Sequence, residues 1–280
     1  MTGEDPLLAC LAGHLAADMA IARLLLAGEN ADGIRGRVRA SRDASAAWTE
    51  LDRLTQRAPL ERLRRMLDGA GVDHAAAATP DAIAALFDRA VAESPEASVA
   101  MYSLGDHARL QVATEEVVDW LRRAGLLGPD LDVLDLGCGI GRVAAGVAGQ
   151  VRWVLGTEIS RGMLQEAQRR CVSANNVSFV MATGQDLAAL ADATFDLVLA
   201  VDSFPYLVQA GVAERHMAEV RRVLRVPGRF VLLNLSYRES RTADRADAER
   251  WAQSHGLALR RSGISPFRLW DAVAYVFERT

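Results

Sequence analysis

Cysteine is scarce in this chain. Cys10, Cys138 and Cys171 form an odd, widely spaced set without metal-ligand spacing. That pattern excludes a disulfide framework and a zinc site, so no metal is expected and the reducing cytoplasm is the expected home. A basic surplus is missing as well. The formal net charge is −4 over 280 residues, whereas proteins that live on nucleic acid carry a basic footprint. Nucleic acid is therefore not the expected partner. Long uncharged apolar runs are absent too. The most apolar stretch, Leu7 to Ala27, contains His14, Asp18 and Arg23 and follows Glu4 and Asp5. A spanning helix needs roughly 20 apolar residues and a signal peptide needs a basic start, so neither a membrane segment nor a leader is expected. The stretch reads as one buried amphipathic helix opening at Pro6. No internal repeat and no low-complexity linker occurs.

What is present divides the chain in two. The alanine-rich first third reads helical. Beyond a polar break at Gly28 to Gly36, a helix is expected around Ser45 to Gln56. Another opens at Pro59 and is ended by Gly69 and Gly71. The pairs Thr79–Pro80 and Ser94–Pro95 each read as an N-cap followed by a first-turn proline. From Leu131 short apolar runs alternate with helical patterns. Strands are expected at Val133–Leu136, Trp153–Gly156, Val177–Val180, Leu197–Val201 and Phe230–Leu235. Helices are expected near Val143–Ala148, Met163–Cys171, Val212–Leu224 and Ala243–His255. Two last strands fit Leu257–Arg261 and Ala272–Glu278, while Thr183 to Thr194 has room for only a short helix. This alternation is that of a doubly wound parallel α/β sheet. The division is a helical N-terminal domain at residues 1–98 and a ligand-binding domain at residues 99–280.

The stretch Leu134-Asp135-Leu136-Gly137-Cys138-Gly139-Ile140-Gly141-Arg142 leaves a strand and opens a helix. Its glycines let the backbone turn sharply and let a ligand lie on the main chain, at the switch point where open sheets bind ligands. A dinucleotide and a sulfonium nucleotide compete for such a loop. The dinucleotide pattern Gly-x-Gly-x-x-Gly places its pyrophosphate on the helix N-terminus. Here Arg142 replaces the last glycine and Asp135 stands beside the loop. A carboxylate suits the ammonium of the methionine portion of S-adenosylmethionine better than it suits a pyrophosphate. Glu158 ends the second strand, where an acid accepts ribose hydroxyls. Ile159 and Met163 follow it as apolar neighbours for an adenine. The polar loop Thr183-Gly184-Gln185-Asp186-Leu187 follows the third strand and offers donors and acceptors to the adenine edge, although Asp186 equally reads as a helix cap. The fourth strand ends at Val201-Asp202-Ser203-Phe204-Pro205-Tyr206.

The order LDLGCGIGR, GTEIS, FVMATGQDL, FDLVLAVDSFPYL and RRVLRVPGRFVLLN resembles the class I S-adenosylmethionine-dependent methyltransferases over roughly the last two-thirds of the chain. The resemblance implies a Rossmann-like seven-stranded sheet with the last strand antiparallel, preceded by the helical extension. It also implies S-adenosyl-L-methionine as cofactor, S-adenosyl-L-homocysteine as product, and binding through Gly137, Cys138, Gly139, Glu158, the Thr183–Leu187 loop and Val201. Thr183 stands where relatives often carry an adenine-binding Asp. Asp202 to Tyr206 departs from the Asn/Asp-Pro-Pro-Tyr signature of amino-methylating enzymes, so that activity is not carried over. In many relatives a segment before the first strand folds over the cofactor, and Tyr102 and Arg109 resemble its contacts.

Methyl transfer from a sulfonium is an in-line displacement in which the protein mainly aligns the nucleophile. A base is useful for a hydroxyl, a protonated amine or a carbon acid, and His107, Asp202 and Tyr206 are the candidates. His216 reads as a surface residue. The expected activity is methyl transfer to a hydroxyl or amine of a small molecule. The alternatives are a non-catalytic protein that binds the same cofactor and, against Asp135 and Arg142, a nicotinamide oxidoreductase. The N-terminal helices are expected to cover the substrate or to form a homodimer. Phe267 and Trp270 either line an acceptor pocket or cover a sheet edge.

Overall fold

The computed structural model describes residues 4–41, 43–71, 78–238 and 240–280. It divides into two compact units. One consists of Met1–Val72, Arg89–Ala113 and Phe267–Asp271, the other of Asp73–Asp88, Thr114–Pro266 and Ala272–Thr280.

The first unit is helical. It contains α1 (Pro6–Leu11), α2 (Ala17–Leu26), α3 (Ala31–Ser41), α4 (Ala46–Arg57) and α5 (Leu60–Ala70). It also holds the end of α6 (Pro80–Glu93), all of α7 (Pro95–Val99) and the start of α8 (His107–Arg123). Asp5 caps α1 by accepting from the Leu7 N–H at 2.9 Å, and Pro6 takes the first turn. The single helix expected from Leu7 to Ala27 is two helices, because Gly13 turns left-handed at φ +79° and closes α1. The expected polar break at Gly28 to Gly36 is largely α3. Asn30 accepts from the Gly33 N–H at 2.8 Å, and Ile34 and Val38, one turn apart, are fully buried. Burial of that stripe offsets the cost of two helical glycines, about 1 kcal/mol each. Helix α2 packs on α1, α3, α4 and α5 through Ile21, Leu24 and Leu25.

The second unit is built on a seven-stranded sheet. In chain order its elements are β1 (Asp132–Leu136), α9 (Arg142–Ala148), β2 (Trp153–Glu158), α10 (Arg161–Arg170), β3 (Val177–Met181) and β4 (Phe195–Val201). They continue with α11 (Phe204–Gln209), α12 (Ala213–Val223), β5 (Leu224–Leu233), α13 (Arg241–Ser254), β6 (Ala258–Ile264) and β7 (Ala274–Arg279). The strand order is β3-β2-β1-β4-β5-β7-β6, and only β7 runs antiparallel to its neighbours. Strand β1 is buried on both faces, as its Val-Leu-Asp-Leu run implies. One face of the sheet packs Leu134, Leu136, Val198 and Phe230 against Met217, Val220 and Trp251 of α12 and α13.

Every strand expected from sequence is present. The stretch after β3 holds turns, and Asp186 accepts from the Ala188 N–H at 3.2 Å there instead of capping a helix. His216 is not a surface residue. It is 1% exposed on the inner side of α12, its Nδ1 lies 3.0 Å from the Val212 carbonyl, and burial lowers its pKa and holds the ring neutral.

Candidate functional site

The connections leaving the carboxyl ends of β1, β2, β3 and β4 meet at the point where the strand order reverses. At the end of β1 the chain turns through Gly137, Gly139 and Gly141, with φ of +70°, +53° and +73°. A Cβ on Gly137 would stand 2.5 Å from that of Ser203, so only glycine lets β1 and β4 close here. The Gly137 and Cys138 N–H groups both donate to the Thr157 carbonyl at 2.9 Å, and the Gly139 N–H donates to Glu158 Oε2 at 2.9 Å. The loop is therefore pinned to the end of β2. Cys138 is packed beneath it, where burial and the neighbouring Asp135 and Glu158 push its thiol well up. It serves as packing rather than as a nucleophile.

Two acids flank the loop in different ways. Glu158 is 6% exposed; besides Gly139, its carboxylate accepts from Ile159 N–H at 2.8 Å and Ser160 N–H at 2.9 Å. Burial raises its pKa and these three donors lower it. An ionised carboxylate offers about four acceptor positions, so three are engaged and one is open. Asp135 lies deeper. Burial pushes its carboxyl up to about 7, against the opposing pull of Arg142 and the Ala144 N–H, and its Oδ2 has no hydrogen-bond partner. Arg142 is itself buried, and its Nη1 donates to Thr114 Oγ1 at 3.2 Å. The Thr157 hydroxyl is a second buried polar group without a partner.

Ile159 is half-buried and Met163 is buried in the first turn of α10, where Ser160 Oγ accepts from the Met163 N–H at 3.1 Å. Asp88 completes that cap: Ser160 Oγ and the Gly162 N–H both donate to its Oδ1, at 2.6 and 2.8 Å. After β3, Thr183 and Gln185 are exposed, Asp186 is half-buried, and Gly184 and Leu187 are buried. Thr183 Oγ1 accepts from the Gln185 N–H at 3.2 Å. A Cβ on Gly184, at φ +71°, would lie 3.1 Å from Ile159 Cγ2, so this loop and the turn after β2 face each other.

Beyond half-buried Val201, Asp202 adopts φ +60° and Asn234, at the end of neighbouring β5, adopts φ +65°. Left-handed backbone costs a non-glycine residue about 1 kcal/mol or more and clusters at functional sites. The two are joined: Asn234 Nδ2 donates to Asp202 Oδ1 at 2.8 Å, and Asn234 Oδ1 accepts from the Val273 N–H at 3.0 Å. Ser203 Oγ donates to the Leu136 carbonyl. Tyr206 meets Tyr237 and Phe87 edge-on, at centroid distances of 5.4 and 4.9 Å. Burial pushes the Tyr206 and Tyr237 hydroxyls well above the usual phenol range, so both stay protonated near neutral pH.

Asp202 and Tyr206 are thus brought together. His107 belongs to the helical unit, where its exposed ring pairs with Glu96 at 3.4 Å. Arg109 reaches Asp18 at 2.9 Å and Glu50 at 3.5 Å in the same unit. Tyr102 is buried there and stacks on Trp270, which also stacks on Phe267, at centroid distances of 5.8 and 5.6 Å. Sequence reasoning missed Phe87, Asp88, Asn234 and Tyr237. Asn234 and Tyr237 could have been found, because they follow a strand at the ligand-binding edge. Nothing local marks the two α6 residues. Among the described residues no cluster of three or more His, Cys, Asp and Glu side chains is placed to hold a metal.

This architecture is the Rossmann-like methyltransferase fold. Residues 133–228 match the sequence model of a family described as "Methyltransferase domain". Over 157 residues the chain is 29% identical to a demethylmenaquinone methyltransferase from Clavibacter sepedonicus, covering 56% of this chain and 59% of that protein. Over 110 residues it is 36% identical to the methyltransferase GfsG of Streptomyces halstedii, covering 38% of each. The chain therefore spans less than two-thirds of the length of these curated relatives. The fold is shared with a phosphoethanolamine N-methyltransferase 1 from Haemonchus contortus at a TM-score of 0.53 and 16% identity, over 71% of this chain and 48% of that one. The sheet unit thus carries the methyltransferase-domain match and the strand order of the class I S-adenosylmethionine-dependent methyltransferases.

Proposed function

We propose that the chain transfers a methyl group from S-adenosyl-L-methionine to a hydroxyl or amine of a small molecule. The observation that carries this reading is the Gly137–Gly139 loop pinned to the Thr157 carbonyl and the Glu158 carboxylate at the end of β2. The residues fit the cofactor. Asp135 Oδ2 is a buried acceptor without a partner, as a nearby ammonium requires, and Glu158 keeps one acceptor position for the ribose. In this reading Asp135, Gly137, Cys138 and Gly139 hold the methionine portion. Ile159 and Met163 pack on the adenine, the Thr183–Leu187 loop reads its edge, and Val201 closes the floor. When bound, the cofactor supplies an activated methyl on a sulfonium.

The chain's own contribution is alignment. Asp202, oriented by Asn234, takes the acceptor proton, while protonated Tyr206 and Tyr237 orient the acceptor and exclude water. His107, Tyr102 and Arg109 belong to the helical unit, and a role for that unit as substrate cover or homodimer surface is part of the same proposal. A small acceptor is supported by the net charge of −4 and by the relative named for demethylmenaquinone. Three free, buried cysteines suit a reducing compartment such as the cytoplasm. No described helix is long and apolar enough to cross a membrane.

The test is release of S-adenosylhomocysteine across a panel of phenols, hydroxy acids and amines. With the best acceptor, Asp202→Asn should lower kcat by about 10²-fold or more with cofactor affinity unchanged. Unaltered kcat would remove Asp202 from the mechanism. Cofactor binding without turnover of any acceptor would favour a non-catalytic binding protein.

A further inference from the structure

The Pro80–Asp88 stretch of α6 is grouped with the sheet unit although the helix continues into the other. It touches three of the four connections that form the site. Asp88 Oδ1 accepts from Ser160 Oγ at 2.6 Å and from the Gly162 N–H at 2.8 Å, after β2. Pro80 Cβ lies 2.9 Å from where a Cβ on Gly184 would stand, after β3. Phe87 packs edge-on against Tyr206, after β4, at 4.9 Å and an interplanar angle of 78°. Just before the helix, the Ala78 N–H points at the Gln209 carbonyl at 3.4 Å.

We infer that this stretch is a strap across the cofactor site and that Asp88 is the positioning residue that fastens it; the inference rests on the cofactor reading above. The physical basis is a relay. Asp88 fixes the Ser160 hydroxyl, that hydroxyl caps the Met163 N–H at 3.1 Å, and the Ser160 N–H holds Glu158 Oε1 at 2.9 Å. A carboxylate at the start of α10 is also favoured by the helix dipole. The turn that presents Glu158 to the ribose is thereby held from the sheet side by its own backbone and from the outside by Asp88. Because the strap also backs Gly184 and Tyr206, one helix segment couples the ribose, adenine and acceptor ends of the site. A nucleotide held by Glu158, Ile159 and the Thr183–Leu187 loop leaves when the strap lifts. Asp88 lies outside residues 133–228, the span that matches the family model.

The experiment measures S-adenosylhomocysteine affinity and dissociation rate for the full chain, for Asp88→Ala and for Asp88→Asn. Amide exchange over residues 81–88 of the unsubstituted chain, with and without the nucleotide, accompanies it. Asp88→Ala should raise Kd and the dissociation rate about tenfold. Asp88→Asn keeps an acceptor oxygen and should stay within about threefold. The nucleotide should slow exchange over residues 81–88. A dissociation rate unmoved in Asp88→Ala overturns the inference and leaves the cofactor reading standing. So does exchange over 81–88 that ignores the nucleotide, a result that needs no variant to fold. Failure of the unsubstituted chain to bind the nucleotide overturns both.

Discussion

Individual residues at this site are constrained by space and by charge. Gly137 combines φ +70° with a 2.5 Å approach to Ser203, so no L side chain fits without displacing β1 from β4. Gly137→Ala should cost about 1–3 kcal/mol of stability and abolish S-adenosylhomocysteine binding; thermal unfolding and titration of the variant check both. Asp135 is the clearest electrostatic case. Its folded pKa of about 7 stands above the ordinary 3.8 because it is buried. Between those values the folded state keeps a proton that the unfolded state has lost. This group's contribution is therefore full below about pH 4, falls by up to about 1.4 kcal/mol per pH unit toward pH 7, and is flat above. Asp135→Asn should remove that fall, so the difference in melting temperature between variant and parent should grow in the variant's favour from pH 5 to pH 7. A pH-independent difference would show that Asp135 is ionised in the fold.

The elements carry these residues to one edge. Glu158 ends β2 and accepts three backbone N–H groups that belong to two separate turns. Glu158→Ala should weaken nucleotide binding by about 1–3 kcal/mol and speed amide exchange at Gly139; unchanged affinity in a folded variant would exclude the ribose role. Most elements were legible in the sequence because parallel strands are short apolar runs between helical periods. The alternation from Val133 onward places the glycine loop, Glu158 and Asp202 at strand ends. The failures have local causes. The break between α1 and α2 rests on one left-handed glycine within a continuous amphipathic pattern, and α3 hides behind glycines that read as turn formers. His216 looked solvated because its helix carries charge around it, whereas α12 turns that ring toward the core. Asp88 and Phe87 were invisible because their importance lies in what a distant helix is brought against, which periodicity does not encode.

At the scale of the molecule, charge and connectivity bear on function. The chain has no lysine, and its 32 basic residues are all arginine. At the amino ends of β1 and β4, Arg225 and Arg152 close on Asp132 and Asp196, away from the edge where the acids of the candidate site gather. That acidic edge suits a cationic nucleotide. A ligand that binds only the folded state at 100 times its Kd adds about 2.7 kcal/mol, so saturating S-adenosylhomocysteine should raise the melting temperature by roughly 5 °C. Calorimetric titration of the purified chain with S-adenosylmethionine and S-adenosylhomocysteine, with NADH as control, is the decisive measurement for cofactor binding. Micromolar binding of the two sulfur nucleotides and none of NADH is expected. Binding of neither sulfur nucleotide, or preference for NADH, would contradict the cofactor assignment.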